Sequence, residues 1–230
     1  MALMLPRSIF FHIEKTGGTW VTQAIQRAGI PARALSPFGD NETANEHCLP
    51  EHVAIRGKFT FAFVRNPIEW YASMWGYRMM RGWDNTHPLS ACRSDDFHQF
   101  LRSVLDRFPG YVSQLYERSI GPPPGRLNFV GRQETLSEDL IRALTLAGEQ
   151  FDPRKIRATP PTNVGMGHPG LYTSALRRAV EQAEWQAMVR FGYAVTARGP
   201  ARQCGASVPA PTRSPRRRGA TRPRSSAPRR

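Results

Sequence analysis

The sequence feature that most constrains this chain is an apolar run, Ser8-Ile9-Phe10-Phe11-His12-Ile13, that breaks into Glu14-Lys15-Thr16-Gly17-Gly18-Thr19 and resumes as a helical pattern. The run is short and rich in β-branched and aromatic residues, so it reads as a buried strand. Two glycines remove Cβ atoms where the chain must turn, and from Thr19 onward Trp20, Val21, Ala24, Ile25 and Ala28 recur at helical spacing. A strand, a tight loop and a helix N-terminus in succession form an anion cradle, because unpaired amides and the positive end of the helix dipole face one point. The ligand expected there carries phosphate or sulfate.

A second strand with the same character is expected at Phe59–Val64, between Gly57-Lys58 and Asn66-Pro67. Pro67 suits the first position of a helix, where its missing N–H costs nothing, and Trp70, Met74 and Tyr77, or Tyr71, Met74 and Trp75, give that helix an apolar face. Residues 31–52 read as a loop region with one irregular element at most, and 76–93 as irregular again. Ser94-Asp95-Asp96 opens a helix with Phe97, Phe100, Leu101, Val104, Leu105 and Phe108 as its stripe. After the rigid break at 121–125 a third strand is expected at Leu127–Val130, then a helix with a capping box of Thr135 and Glu138 and a face of Leu136, Leu140, Ile141, Leu144 and Leu146. Thr173 is placed to cap a last helix over 174–190.

The order of residues in the first loop separates two kinds of phosphate cradle. A nucleotide-triphosphatase loop places its lysine after the glycines, beside a hydroxyl that holds magnesium. Here Lys15 precedes Gly17 and Gly18. Lys15-Thr16-Gly17-Gly18-Thr19-Trp20 after a strand resembles the 5′-phosphosulfate loop of the sulfotransferases that use 3′-phosphoadenosine 5′-phosphosulfate (PAPS). Phe63-Val64-Arg65-Asn66-Pro67, with Ser73 eight residues after the arginine, resembles the same family's 3′-phosphate motif. The spacing is physically sensible. An arginine at a strand's carboxyl end offers a forked charge, and a serine two turns into the next helix reaches back toward the same group. Gly131-Arg132-Gln133-Glu134 resembles the strand end of the glycan-type members, which places Arg132 near the cofactor or in an ion pair with Glu134 or Glu138.

The resemblance spans residues 8–193. It implies an α/β, P-loop-like three-layer fold with a central, mainly parallel sheet flanked by helices, and PAPS lying across the carboxyl ends of the strands that start at Ser8 and Phe59. It further implies that Lys15 neutralises the leaving phosphate, that Thr16, Gly17, Gly18 and Thr19 hold the 5′-phosphosulfate, that Trp20 packs near the adenine, and that Arg65 and Ser73 bind the 3′-phosphate. No metal is expected. The acceptor is a hydroxyl or amine of a glycan or small metabolite. Family members carry a histidine or glutamate base between the two motifs, which selects His47, with His52, Glu46, Glu51 and Glu14 left open. Glu14 stands where the family usually has proline or arginine. The Arg-Lys-Gly loop of the cytosolic enzymes is missing, so Arg154, Lys155, Arg157 or the Gly165–Gly167 backbone must substitute.

Charge has to be located before it is interpreted. Of the net +14, ten arginines and no acid lie in residues 198–230, which leaves +4 for residues 1–197. One domain is expected over 1–197 and a disordered Arg/Pro/Ser-rich tail over 198–230, since the tail cannot bury enough apolar surface to offset its chain entropy. Attachment of that tail to nucleic acid, an anionic polysaccharide or an anionic membrane, and no partner at all, are both open. Cys48, Cys92 and Cys204 are too few and too scattered for a disulfide framework or a metal cluster. With no signal pattern and no apolar run of membrane-spanning length, the expectation is a cytoplasmic protein. A P-loop kinase and a nucleic-acid-binding protein acting through the tail are the competing readings.

Overall fold

In the computed structural model, residues 2–35, 49–52, 57–162 and 170–194 are described, apart from the side chain of His52. All lie within Met1–Pro200, the first of the two units into which the chain divides. The basic tail falls outside the described residues.

The elements in chain order are β1 (Ala2–Met4), β2 (Ser8–Phe11), α1 (Gly18–Arg27), β3 (Arg33–Leu35), β4 (Phe59–Val64), α2 (Pro67–Arg81), α3 (Phe97–Arg107), α4 (Tyr111–Ile120), β5 (Phe129–Arg132), α5 (Leu136–Ala147), α6 (Pro153–Arg157), α7 (Ser174–Ala183) and α8 (Trp185–Arg190). The strands form one sheet in the order β3-β1-β2-β4-β5. β2 pairs in parallel with β4, and β4 with β5, in the registers Phe11↔Ala62 and Val64↔Arg132. β1 pairs antiparallel with both β2 and β3. The sheet is therefore mixed, which corrects the mainly parallel sheet expected. Two three-residue strands account for the difference. β1 lies in the stretch before Ser8, and β3 lies inside the region read as a loop.

Alternation along the parallel strands builds two cores. Ile9, Phe11, Ala62 and Val64 face one side, where they meet Trp70, Tyr71 and Met74 of α2 together with α3, α4, α7 and α8. Phe10, Phe61 and Phe63 face the other, against Val21, Ala24 and Ile25 of α1, Leu140 and Leu144 of α5 and Ile156 of α6. Their three rings are packed at centroid separations of 5.5, 5.9 and 6.0 Å, which makes this patch the rigid floor beneath the β2 loop. Helices thus cover both faces of the sheet.

Chain direction picks out one crevice. From β2 the chain leaves through α1 on one face and reaches β3, beyond β1. From β4 it leaves through α2 on the other face and ends at β5 on the opposite side. The carboxyl ends of β2 and β4 therefore flank the point where the two crossovers part, which is where open α/β sheets bind ligands.

Several local expectations change with tertiary context. The N-cap of α3 is Asp96, whose carboxylate accepts from the Gln99 amide, while Ser94 accepts from Asp96 N. The third strand begins two residues later than expected. Thr135 and Glu138 form no capping box: the Thr135 hydroxyl donates to Asp139 and Glu138 pairs with Arg157. Thr173 does cap, accepting from Leu176 N, but the last helix breaks at Glu184. That residue is completely buried, and its carboxylate accepts from the Tyr71 hydroxyl, the amides of Val112 and Ser113, and the Ser113 hydroxyl. It sits at the N-terminus of α4, where amides without helical partners favour a negative charge.

Glu184→Ala is expected to lower stability by about 3 kcal/mol, because it leaves buried donors of Tyr71 and Ser113 without an acceptor. Urea unfolding with an unchanged m-value checks this, and a loss below about 1 kcal/mol would show that water replaces the carboxylate.

Candidate functional site

The β2 loop has unusual backbone geometry. Lys15 has φ +61°, the only positive φ at a non-glycine residue among the described residues, and Gly17 follows at φ +91° as the N-cap of α1. The two glycines serve different ends. A Cβ on Gly17 would be strained by its φ and would stand 2.6 Å from Cδ2 of Leu136, whereas a Cβ on Gly18 would fall 1.9 Å from the imidazole of His12. Thr16 is buried, and its hydroxyl donates to the Ile13 carbonyl at 2.8 Å, so it braces the turn. Thr19 is exposed at the first turn of α1, where the amides of Gly18, Thr19 and Trp20 lack carbonyl partners within the helix. Trp20 is half-buried and donates from Nε1 to the Thr159 carbonyl at 3.4 Å.

The start of α2 is fastened to this loop. Trp70 Nε1 donates to the Glu14 carbonyl at 2.9 Å, and Arg65 Nη1 donates to the Lys15 carbonyl at 3.4 Å. Arg65 itself is clamped by the buried Tyr116, whose hydroxyl accepts from Arg65 N at 3.0 Å and donates to Arg65 O at 2.7 Å. Asn66 caps α2 by accepting from Ile68 N, and its own amide donates to Glu134. The Lys15 and Arg65 segments therefore meet at the carboxyl edge of the sheet.

Three cations cluster at this meeting point, with carboxylates acting on two of them. The Lys15 ammonium lies 3.9 Å from the centroid of the Tyr77 ring, and the Arg78 guanidinium lies 5.7 Å from the same ring. Burial first, then the neighbouring Arg65 and Arg78, push the Lys15 pKa down to about 8, against an upward pull from Glu14. Burial lowers that of Arg65 as well, offset by Glu69 and Glu134. The Nε atoms of both Arg65 and Arg78 are buried without a hydrogen-bond partner. Ser73 is half-buried and four residues before Tyr77, on the same stripe of α2.

Two further clusters border the cations. On the β5 side, the Arg132 guanidinium lies 5.3 Å from the centroid of the Tyr193 ring, and the Tyr193 hydroxyl donates to Glu134 at 3.2 Å. Arg132 approaches this ring so closely that a Cβ on Gly192 would stand 2.7 Å from its Nη2. On the α2 side, His87 Nε2 lies 3.3 Å from Glu14 Oε1, with the Tyr111 ring beside the imidazole at 6.3 Å between centroids. Burial and Glu14 hold the Tyr111 hydroxyl well above its usual range.

Of the residues named from sequence, Glu14, Lys15, Arg65 and Arg132 end the three parallel strands or follow them directly, and Thr16 to Trp20 and Ser73 lie on the elements that leave two of them. Glu51 is held by Arg126, just before the amino end of β5, on the opposite edge of the sheet. Arg154 pairs with Asp152 and Arg157 with Glu138, all at the surface. His47, Glu46 and Gly165–Gly167, and the side chain of His52, lie outside the described residues. His87, Tyr111, Arg78 and Tyr193 were not anticipated. Helical spacing of Val112, Leu115, Tyr116 and Ile120 signals α4, but nothing local signals that its first residue reaches the β2 loop. Among the described residues, no three His, Cys, Asp or Glu side chains form a metal-ligand group, and no helix is long and apolar enough to cross a membrane.

No family model matches this chain, and no curated protein or solved structure does either.

Lys15 is expected to titrate with a midpoint of about 8 in a ¹³Cε NMR titration, and added sulfate or phosphate should raise it. Between that pH and the ordinary lysine value the unfolded chain holds the proton more tightly, so the contribution of Lys15 to stability rises with pH while anion affinity falls. A midpoint near 10 in the anion-free protein would contradict the crowded cation cluster.

Proposed function

We propose that this chain is a cytoplasmic sulfotransferase that moves a sulfuryl group from PAPS to a hydroxyl or amine of a glycan or small metabolite, on a P-loop-like fold. One observation carries the reading. The guanidinium of Arg65 bonds the carbonyl of Lys15 across a separation of 50 residues, so two segments with the spacing of a 5′-phosphosulfate loop and a 3′-phosphate motif share one crevice. A doubly anionic nucleotide fits the local chemistry. It would face three clustered cations, two buried guanidinium Nε atoms in want of acceptors, and the first-turn amides of α1.

In this reading the donor supplies an activated sulfuryl group on an anionic leaving phosphate, and the protein supplies position and charge rather than covalent help. Lys15 neutralises charge on the leaving oxygen, and the Tyr77 ring fixes where its ammonium sits. The amides of Thr16 to Thr19 and the Thr19 hydroxyl hold the 5′ end, while the Thr16 hydroxyl donates within the loop. Arg65 and Ser73 take the 3′-phosphate, Trp20 flanks the adenine, and Arg132 adds charge from the β5 side.

Adenosine 3′,5′-bisphosphate without magnesium is expected to stabilise the protein by about 2.7 kcal/mol at 100 times its Kd, read as a rise in Tm. Stabilisation by ATP with magnesium in its place would favour a kinase. Arg65→Ala should weaken binding of the bisphosphate by about 2 kcal/mol in calorimetry, and unchanged affinity would remove Arg65 from the 3′-phosphate. Lys15→Ala should depress turnover of PAPS more than its binding; a variant that keeps its rate rules out the leaving-group role.

A further inference from the structure

We propose that Glu14 is the base that takes the acceptor's proton and that His87 is the residue that positions it. The inference rests on the donor-binding reading above and identifies the proton path of the same site. Glu14 directly precedes Lys15 in the β2 loop, and its main chain is fixed by the Trp70 bond to its carbonyl. The side chain of Glu14 is 17% exposed and that of His87 12%, so the pair is sheltered without being closed off.

The tautomer follows from the hydrogen bonds. His87 precedes the short turn Pro88–Cys92, and its Nδ1 accepts from Leu89 N at 3.2 Å. That nitrogen carries no proton in the neutral ring, so the proton is on Nε2 and is donated to Glu14 Oε1 at 3.3 Å. With both ring nitrogens committed, the imidazole is a donor that orients the carboxylate, and the carboxylate is the group able to accept a proton. The step balances simply. The acceptor O–H bond breaks and its proton passes to Glu14, an O–S bond forms, and the bond from sulfur to the leaving phosphate oxygen breaks with its electron pair on that oxygen, beside Lys15. Base and leaving-group cation are then adjacent residues of one loop.

Titratable and charged groups around Glu14 include Lys15 on its own loop, His87 before the Pro88–Cys92 turn, and Tyr111 on α4, with Arg78 on α2 and Arg65 after β4 acting on Lys15, and Arg78 and Arg118 acting on Tyr111.

The test has three readouts on the full chain. First, ¹⁵N shifts of His87 in the nucleotide-free protein should show Nε2 protonated and Nδ1 as an acceptor; the opposite tautomer overturns the positioning role. Second, binding of adenosine 3′,5′-bisphosphate to wild type, His87→Leu and His87→Gln should agree within about twofold, and Glu14→Gln, which loses a negative charge beside Lys15, should bind it at least as tightly as wild type. Third, release of that bisphosphate from PAPS, with water and then polyols, phenols and polysaccharides as acceptors, should fall about 100-fold in Glu14→Gln. It should fall less in His87→Leu and be partly restored in His87→Gln, whose amide keeps a donor. If Glu14→Gln unfolds, Glu14→Asp carries the same comparison with the carboxylate withdrawn by one methylene. Wild type that binds the bisphosphate while Glu14→Gln keeps its rate overturns the base assignment and leaves the donor reading intact. Wild type that does not bind it overturns both. Wild type that binds it but releases none from PAPS is a binding protein, and the base assignment falls.

Discussion

Two bonds to main-chain carbonyls hold the site together: Trp70 Nε1 to Glu14 and Arg65 Nη1 to Lys15. They join the loop after β2 to the segment that leaves β4 at the place where the sheet's crossovers diverge. A pair of neutral acceptors, oriented by the left-handed turn at Lys15, joins two positively charged segments through the main chain. Unit charges of like sign 4 Å apart near a protein surface repel by about 4 kcal/mol. The site stays assembled because its positions are fixed elsewhere: Arg65 by the two bonds to Tyr116, α2 by its burial against β2 and β4, and the loop by the Thr16 brace.

The consequence is a resting cluster under electrostatic tension. Lys15 loses part of its hold on a proton, and two guanidinium groups carry buried Nε atoms with nothing to donate to. Native proteins seldom leave buried donors unsatisfied, so each one asks for an explanation. An anion would satisfy the donors and cancel the repulsion together, and because the framework holds the cations in advance, binding would cost little reorganisation. Glu14 acts on Lys15, and Glu69 and Glu134 on Arg65, so these acids moderate the charge of the cluster.

How much of this was legible depends on how local the determining physics is. β2 and β4 follow from short apolar runs, and α2 from Pro67 and its apolar face, of which Trp70, Tyr71 and Met74 are buried while Tyr77 is exposed. β1 and β3 have three residues each and exist because each completes the hydrogen bonds of a neighbour; no periodicity can register in so short a segment. The break between α7 and α8 belongs to Glu184, which answers to donors on α2 and α4 far away in sequence. Thr135 illustrates a competition that sequence spacing cannot decide: the box partner Glu138 is drawn off by Arg157, and Asp139 takes the hydroxyl. His87 is the clearest omission. A histidine in an irregular, proline-containing stretch carries no local mark, and it becomes meaningful only once the turn before α3 is folded against the β2 loop.

The pair Gly17-Gly18 has two different tasks that sequence alone does not separate. In the sequence both read as missing Cβ atoms where the chain must turn. In the folded chain Gly17 supplies a left-handed N-cap beside Leu136, and Gly18 leaves room for His12, which stacks on Phe10 over the aromatic floor. The space made by Gly18 is therefore filled by protein. What remains of the cradle is the first turn of α1, presented by the conformation at Gly17, and the cations brought in by α2. Anion binding therefore rests on the convergence of a helix N-terminus with Lys15, Arg65 and Arg78, a feature that requires both crossovers and that neither motif contains alone.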